Sequence, residues 1–156
     1  MAKVLVQAED FDIGAEFAAM SAGRTDIGGL GCFVGTVRAA HTGPAIDALT
    51  LEQYPGMTQR MLEKIAVEAE RRWALLGCTV IHRHGTMQLG ENIVLVLTAS
   101  AHRQPALDAT SFLIDWLKTK APFWKKEHFA GGDTQWVEAR ASDDAAAARW
   151  TTPIPG

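Results

Sequence analysis

The chain has 156 residues, of which 47% are hydrophobic and 21% charged, and its formal net charge is -3. These values are ordinary for a globular protein and predict a single domain with its own core. A weakly acidic chain lacks the strong basic excess of a general nucleic-acid binder. No apolar run is long enough to cross a bilayer, and the N-terminus lacks the layout of a signal peptide, so we expect a cytoplasmic protein.

Hydrophobic patterning in the first half of the chain predicts strands separated by one short and one long helix. The predicted strands cover residues 3–8, 30–38 and 47–54. Asp10 or Asp12 is suited to cap the short helix. Residues 39–45 are predicted to form a mobile loop. The long helix is predicted over residues 57–76, where an apolar stripe recurs at helical spacing, and Gly77 is expected to end it.

The second half of the chain is predicted to add a central strand, a second long helix and a terminal hairpin. The predicted strands cover residues 78–84, 92–100, 123–129 and 134–140. The run at 92–100 is almost entirely apolar, which is typical of a strand covered on both faces. The second helix is predicted to begin with Pro105 at its first position. A glycine-containing turn joins the last two strands, and residues 142–150 suit a short helical turn.

Two long helices among six or seven strands, several of them in hairpin order, predict a two-layer α+β fold. The sequence shows no internal repeat and no low-complexity linker. We therefore expect one domain over residues 1–150, followed by a C-terminal tail at 151–156.

Four lysines are concentrated in residues 117–127, around Pro122 and two aromatic residues. The proline is expected to end the preceding helix near Lys120, because its ring disfavours helical geometry at the residue before it. Lys118 would then lie in the last helical turn and Lys125 just past the break. Such a break can turn both ammonium groups toward one cavity.

Two interpretations of these lysines remain open from the residues alone. Apolar walls provided by Phe123 and Trp124 would lower a lysine pKa and make that lysine a usable base or nucleophile. Alternatively, Lys118 and Lys125 are solvated cations near the C-terminus of a helix. For the other two lysines of the segment, the solvated role is favoured.

Further cations stand where predicted strands or helices begin or end. They are Arg38, His102, Arg103 and Arg140. Strand ends are places where side chains can converge at one edge of a sheet. Together with the two lysines, such a group suits a phosphorylated or carboxylated ligand, because arginine offers forked donors and lysine a point charge. Each residue taken singly is more simply a surface cation, and only their joint placement favours a site.

Two cysteines and two neighbouring histidines are the remaining candidates for thiol or metal chemistry. Cys32 and Cys78 are far apart and outside any Cys-x-x-Cys pair, so we expect two buried, inert thiols. His82 and His84 share a predicted strand face, but no residue at a suitable spacing completes a ligand set. A structural or surface role is therefore favoured for both, and we expect no metal. Stoichiometric zinc in the purified protein would support the alternative.

Six motifs, in this order along the chain, resemble the large, catalytic subunit of molybdopterin synthase. They are FVGTVR at 33–38, LTLEQYPGM at 49–57, VIHR at 80–83, SAHR at 100–103, LKTKAPFWKKE at 117–127 and WVEAR at 136–140. The resemblance extends from about Val4 to Trp150, and the lysine–proline–aromatic segment is its most specific part.

This resemblance implies an α/β hammerhead-type fold with a mixed or antiparallel sheet, two long helices and a C-terminal hairpin. It also implies a homodimer at the centre of a heterotetramer, with a small ubiquitin-like subunit at each end. The implied reaction moves sulfur from the C-terminal Gly-Gly thiocarboxylate of that small subunit to cyclic pyranopterin monophosphate. Two transfers build the dithiolene of molybdopterin, and neither a metal nor another cofactor is needed.

The resemblance also assigns residues to the site. Lys118 and Lys125 match the family's catalytic lysines. The substrate pocket comprises these two together with Thr36, Val37, Arg38, His102, Arg103, Lys126, Glu127 and Arg140. As a hypothesis, Lys118 acts on the acyl carbon or in proton transfer, while Lys125 and the arginines hold phosphate and developing negative charge.

Two positions in this set carry open questions. Arg140 is a candidate to enter the site from the neighbouring protomer. Family members often carry lysine where this chain has Thr36, which removes one cation and leaves a backbone contact possible.

Two other function classes remain alternatives. A lyase that forms a lysine Schiff base with a phosphorylated carbonyl compound would be trapped by borohydride with a small aldehyde and no protein partner. A non-enzymatic adaptor for a ubiquitin-like tail would keep its output in the Lys118→Ala variant as long as the tail still binds.

Overall fold

The computed structural model describes residues 2–39, 43–137 and 141–151 of the chain. Within them, eight strands form two four-stranded sheets and four helices are present. The strands are β1 Lys3–Gln7, β2 Gly29–Thr36, β3 Ile46–Gln53, β4 Gly77–Arg83, β5 Gly85–Gln88, β6 Asn92–Ser100, β7 Phe123–Phe129 and β8 Thr134–Val137. The helices are α1 Ile13–Ser21, α2 Met57–Trp73, α3 Arg103–Thr119 and α4 Ala141–Ala148. The predicted α+β class, with two long helices and a C-terminal hairpin, is confirmed.

The first sheet is mixed, with strand order β1-β4-β6-β2. β1 is parallel to β4, and the other two pairs are antiparallel. One face packs against α2 and α3, where Leu62 and Leu113 are fully buried against Val80 and Val96. The opposite face is covered by the α1 region. β6 is therefore buried on both faces, as its apolar sequence predicts.

Helix α2 ends earlier than predicted. Ala74 adopts a left-handed conformation with φ 49° and closes the helix, while Gly77 is already the first residue of β4. The prediction that Gly77 ends the helix is wrong, because a non-glycine residue takes the left-handed position. Such a residue costs on the order of 1 kcal/mol, which the surrounding packing must offset.

Helix α3 begins at Arg103, so Pro105 is its third residue and not its first. Proline is still tolerated there, because the first N–H groups of a helix have no partner within it. α3 lies very close to β2: a Cβ added to Gly31 would be 2.6 Å from the carbonyl oxygen of Ala106. The helix ends where Pro122 predicted, with Lys120 as its C-cap.

The second sheet is antiparallel, with strand order β5-β3-β7-β8. Its inner face buries Leu49, Leu51 and Met87 together with Val37 from the end of β2. β5 was not predicted, because it has only four residues and a single buried apolar side chain, Met87. β8 is observed to Val137, and the remainder of its predicted span lies outside the described residues.

The C-terminal segment packs on the helical layer. Trp150 contacts Trp73 and Phe112 edge-on, with ring centroids 5.6 and 5.8 Å apart. Its Nε1 donates to Asp115 Oδ2 at 2.7 Å. The helical turn predicted for residues 142–150 is therefore present as α4 and is anchored by Trp150, two residues after its end. None of the described helices is both long and apolar enough to cross a membrane.

Candidate active site

Two lysines on either side of the proline break lie beside the same histidine. α3 is capped by Lys120 and β7 begins at Phe123, so the chain turns sharply between them. Lys118 belongs to the last turn of α3. Lys125 lies on the inner face of β7. Both ammonium groups are close enough to His82 to lower its pKa. The structure therefore brings together the two lysines that the sequence singled out.

His82 is the buried group of this cluster. It is 7% exposed, and its ring stacks on Phe123 with centroids 3.8 Å apart and an interplanar angle of 18°. Its Nδ1 lies 2.8 Å from the carbonyl oxygen of Arg83, which can only accept, so Nδ1 donates and Nε2 carries the lone pair. Burial is the largest cause of a His82 pKa lowered to about 4, and the charges of Lys118 and Lys125 add to it. The ring is therefore neutral at pH 7.

Phe123 and Trp124 were both predicted to form apolar walls beside the lysines, but only Phe123 lies on that side of the strand. Phe123 pairs with Gln53 on the inner face of the second sheet, next to the lysine cluster. Trp124 pairs with Glu52 on the outer face, is 47% exposed and contacts Tyr54 at a ring distance of 6.4 Å. Successive strand residues point to opposite faces, so one strand register cannot place both rings beside the lysines.

The residues that follow β2 lie at the same end of the first sheet as the lysines. β4, through His82, and β2 both pair with Val94 of β6, and two strand spacings separate them by about 10 Å. β2 ends at Thr36, which is exposed. Val37 is 4% exposed and enters the core between the sheets, while Arg38 is exposed at the surface.

His102 and Arg103 lie at the opposite end of the sheet. β6 runs away from the lysine end to Ser100, and His102 then caps α3, which starts at Arg103. The helix returns along the sheet, and the 15 steps from Arg103 to Lys118, at about 1.5 Å each, amount to about 22 Å. The expected convergence does not occur for these two residues within one chain. Neighbouring antiparallel strands end at opposite edges of a sheet.

Lys126 and Glu127 follow Lys125 but point in different directions. Lys126 pairs with Trp136 on the outer face, and its Nζ lies 5.0 Å from the centroid of that ring. Glu127 pairs with Leu49 on the inner face. Only the glutamate side chain therefore shares the face of Lys125. Arg140, and His41 within the predicted 39–45 loop, lie outside the described residues.

The two cysteines differ in how far they are buried. Cys78 is 2% exposed, and burial, followed by the charge of Glu70, raises its thiol pKa to about 12, so the predicted inert thiol is confirmed. Cys32 is exposed, and the prediction of burial is wrong, because β2 is an edge strand with a neighbour on one side only. Among the residues that the structure describes, no group of three or more His, Cys, Asp or Glu side chains is placed to hold a metal ion.

Sequence reasoning favoured a structural or surface role for His82 and did not connect it with the lysines. The alternating pattern of its strand does place it on the buried face with Val80. No local signal identifies Phe123 as its stacking partner, because the two residues lie in different sheets. Arg83 was also missed. It is 7% exposed and donates to the main-chain carbonyl oxygens of Ala8 and Asn92.

Comparison with known proteins gives a consistent result. A family model described as MoaE protein matches residues 6–120. The molybdopterin synthase catalytic subunit of Mesorhizobium japonicum is 53% identical over 148 residues, which cover 94% of this chain and 92% of that protein. The structure of a molybdopterin biosynthesis MoaE protein from Burkholderia ambifaria gives a TM-score of 0.81 at 48% identity, covering 97% of this chain and 99% of that one.

A more distant structure shares the fold. It is the complex of subunits 1 and 2 of molybdopterin-converting factor from Helicobacter pylori, with a TM-score of 0.70 at 22% identity, covering 89% of this chain and 91% of that one. At this identity the likeness shows the fold alone. The family model, by contrast, spans well over half of the chain, and the Mesorhizobium relative aligns along nearly the whole of both proteins. The chain therefore belongs to the MoaE protein family.

Proposed function

We propose that this chain catalyses the sulfur transfer of molybdopterin synthase in molybdenum cofactor biosynthesis. Sulfur moves from the C-terminal thiocarboxylate of a small partner subunit to cyclic pyranopterin monophosphate. In each transfer a C–S bond replaces a C–O bond on a side-chain carbon of the pterin, and the displaced oxygen leaves as hydroxide or with the phosphate. Water breaks the C–S bond to the partner's acyl carbon and supplies the oxygen that leaves the partner with a carboxylate. Two such transfers give the dithiolene of molybdopterin.

The observation that carries this proposal is that Lys118, in the last turn of α3, and Lys125, on the inner face of β7, both act electrostatically on the buried His82. Two ammonium groups at one place suit a reaction whose donor, substrate and product are all anionic. Lys118 acts on the acyl carbon or in proton transfer. Lys125 holds developing negative charge, and Arg38, from the same end of the first sheet, binds the substrate phosphate.

The sulfur is supplied by a partner in this proposal, because neither cysteine suits the role of sulfur carrier. Cys78 is buried with a raised pKa, and Cys32 pairs with Leu97 on the face of the first sheet that packs against α1, opposite α3. The Mesorhizobium japonicum relative is named as a catalytic subunit, and this supports an assembly with a second chain. We take that chain to be a ubiquitin-like carrier whose Gly-Gly terminus reaches the lysines.

The place of His102 and Arg103 supports a second copy of this chain in the assembly. Both side chains are exposed, and about 22 Å of helix separates Arg103 from Lys118. A two-fold axis that brings the start of one α3 to the end of the other would complete two equivalent sites. We therefore propose a homodimer at the centre of a heterotetramer, in which His102, Arg103 and also Arg140 serve the neighbouring protomer's lysines.

Product formation tests the central proposal. Purified protein is mixed with a thiocarboxylated small subunit and cyclic pyranopterin monophosphate, and molybdopterin is measured. Wild type is expected to form product, and Lys118→Ala to lose at least about a hundredfold in rate, in line with the loss of a group that acts in the transition state. Partner binding, measured separately, is expected to be retained.

Lys120→Ala is the matched control. Lys120 caps the same helix two residues later but borders a surface groove with Trp116 and Trp150, on another side of the helix. Its removal is expected to leave the rate unchanged. Product from Lys118→Ala at the wild-type rate would remove Lys118 from the chemistry. No product from wild type with authentic partner and substrate would contradict the proposed function and favour the lyase or adaptor alternatives.

A mixing experiment tests the shared site. Lys118→Ala and Arg103→Ala are each expected to be nearly inactive. After dissociation and random reassociation, about half of the dimers are mixed, and each mixed dimer holds one intact and one doubly defective site, so about a quarter of the wild-type activity returns. If no activity returns although mixed dimers form, Arg103 acts within its own chain or outside the site.

A further inference from the structure

A buried histidine connects the two sheets where the chain leaves α3. His82 belongs to β4 of the first sheet, whereas Phe123 opens β7 of the second. Their rings are stacked, with 3.8 Å between centroids. Phe123 shares the inner face of β7 with Lys125, two residues later. The stack therefore fixes the start of the strand that carries Lys125.

The groups around the ring determine its charge. Lys118 from α3, Lys125 from β7 and His84 just after β4 all act electrostatically on His82. Its Nδ1–H is committed to the main-chain carbonyl of Arg83. A cationic side chain in this place would put a further positive charge beside two lysines. The neutral ring of His82 packs there without adding a positive charge.

We propose that His82 is a positioning residue for the lysine pair: its neutral ring braces the start of β7 and holds Lys125 in place relative to Lys118. This inference rests on the proposed function, because it takes the two lysines as the groups that act on substrate. The brace acts through Phe123 and adds no charge to the site. Its loss lets Lys125 move, and small displacements of a positioned group are costly for the chemical step.

Three variants of His82 test the brace. His82→Phe keeps a neutral ring for stacking, and its kcat is expected to stay within about threefold of wild type. His82→Gln is neutral and polar but has no ring, and its kcat is expected to fall at least about tenfold. The KM for cyclic pyranopterin monophosphate is expected to change less than about threefold in both, because several cations bind the substrate. His82→Leu replaces His82→Gln if the latter does not fold.

Cys78→Ala is the matched control for stability. It truncates a buried side chain on the same strand and the same face, about 13 Å from His82. It is expected to lower the melting temperature and leave kcat unchanged. A kcat loss that is confined to the ringless His82 variants then reports positioning and not weakened folding.

Two results overturn the brace. One is a ringless variant with the kcat of wild type. The other is an equal loss in His82→Phe and the ringless variant while both are folded, because the ring nitrogen and not the ring face would then be essential. Wild-type protein without any activity would instead contradict the proposed function, so the two failures are distinguishable.

Discussion

The buried imidazole of His82 makes a specific prediction about stability and pH. Its pKa is lowered from 6.5 to about 4 in the folded chain, with burial as the largest cause. In the unfolded chain the same group titrates near its ordinary value. Below pH 6.5 the unfolded chain therefore takes up a proton that the folded chain does not accept until about pH 4, and this difference favours unfolding.

The size of this loss of stability follows from the shift in the His82 pKa. Each pH unit within the window contributes about 1.4 kcal/mol, so the full shift corresponds to about 3 kcal/mol of stability, present above pH 6.5 and lost as the pH falls toward 4. Between pH 7.5 and pH 5, about 2 kcal/mol of this is lost. Against a typical total stability of roughly 5 to 15 kcal/mol, a loss of this size is measurable.

Urea unfolding of wild type and of His82→Phe at pH 7.5 and pH 5 provides the assay. Other titrating groups contribute equally to both proteins, so the wild type is expected to lose about 2 kcal/mol more than the variant over this interval. The dependence of free energy on urea concentration should remain the same in both proteins. Equal losses in the two proteins would refute the reasoning, because His82 would then titrate alike in the folded and unfolded chains.

Three substitutions away from the site test the packing. Gly31→Ala is expected to destabilise by at least about 1 to 3 kcal/mol in urea unfolding, because the new Cβ would be 2.6 Å from the main-chain oxygen of Ala106; no loss would mean that α3 shifts freely. Leu113→Ala, at a fully buried position of α3, is expected to cost about 2 to 5 kcal/mol by the same measurement, and a loss below 1 kcal/mol would contradict the assigned core. Trp150→Phe keeps an aromatic ring but removes the donor to Asp115, so a loss of about 1 to 2 kcal/mol is expected, and an Asp115→Ala background, which has no acceptor, should abolish most of the difference.

The long elements could be predicted because each carries a periodic pattern over many residues. Helix α2 and strand β6 were recognised from patterns of this kind. β5 could not be recognised, because a strand of four residues with one buried side chain has too few positions for an alternation to stand out. The end of α2 at Ala74 was missed because tertiary packing, and not a glycine, provides the left-handed residue.

The same distinction between local sequence signals and tertiary contacts applies to the candidate site. The juxtaposition of Lys118 and Lys125 could be predicted, because a proline break is a local signal. The separation of Arg103 from Lys118 is already implied by the predicted helix between them, whose length holds the two residues about 22 Å apart. The role of His82 could not be predicted, because its stacking partner lies in another sheet and far along the chain.

The alternation along β7 has a consequence for comparing and engineering such chains. Phe123 and Lys125 face inward, whereas Trp124 and Lys126 face outward. Inserting or deleting one residue between Pro122 and this strand, if it shifts the pairing with β3 by one residue, would exchange the two sets and turn Lys126 in place of Lys125 toward the interior. A single-residue gap placed here in an alignment therefore implies a choice of which lysine faces the interior. Loop grafts at this turn should change length in steps of two residues, so that the same side chains keep facing inward.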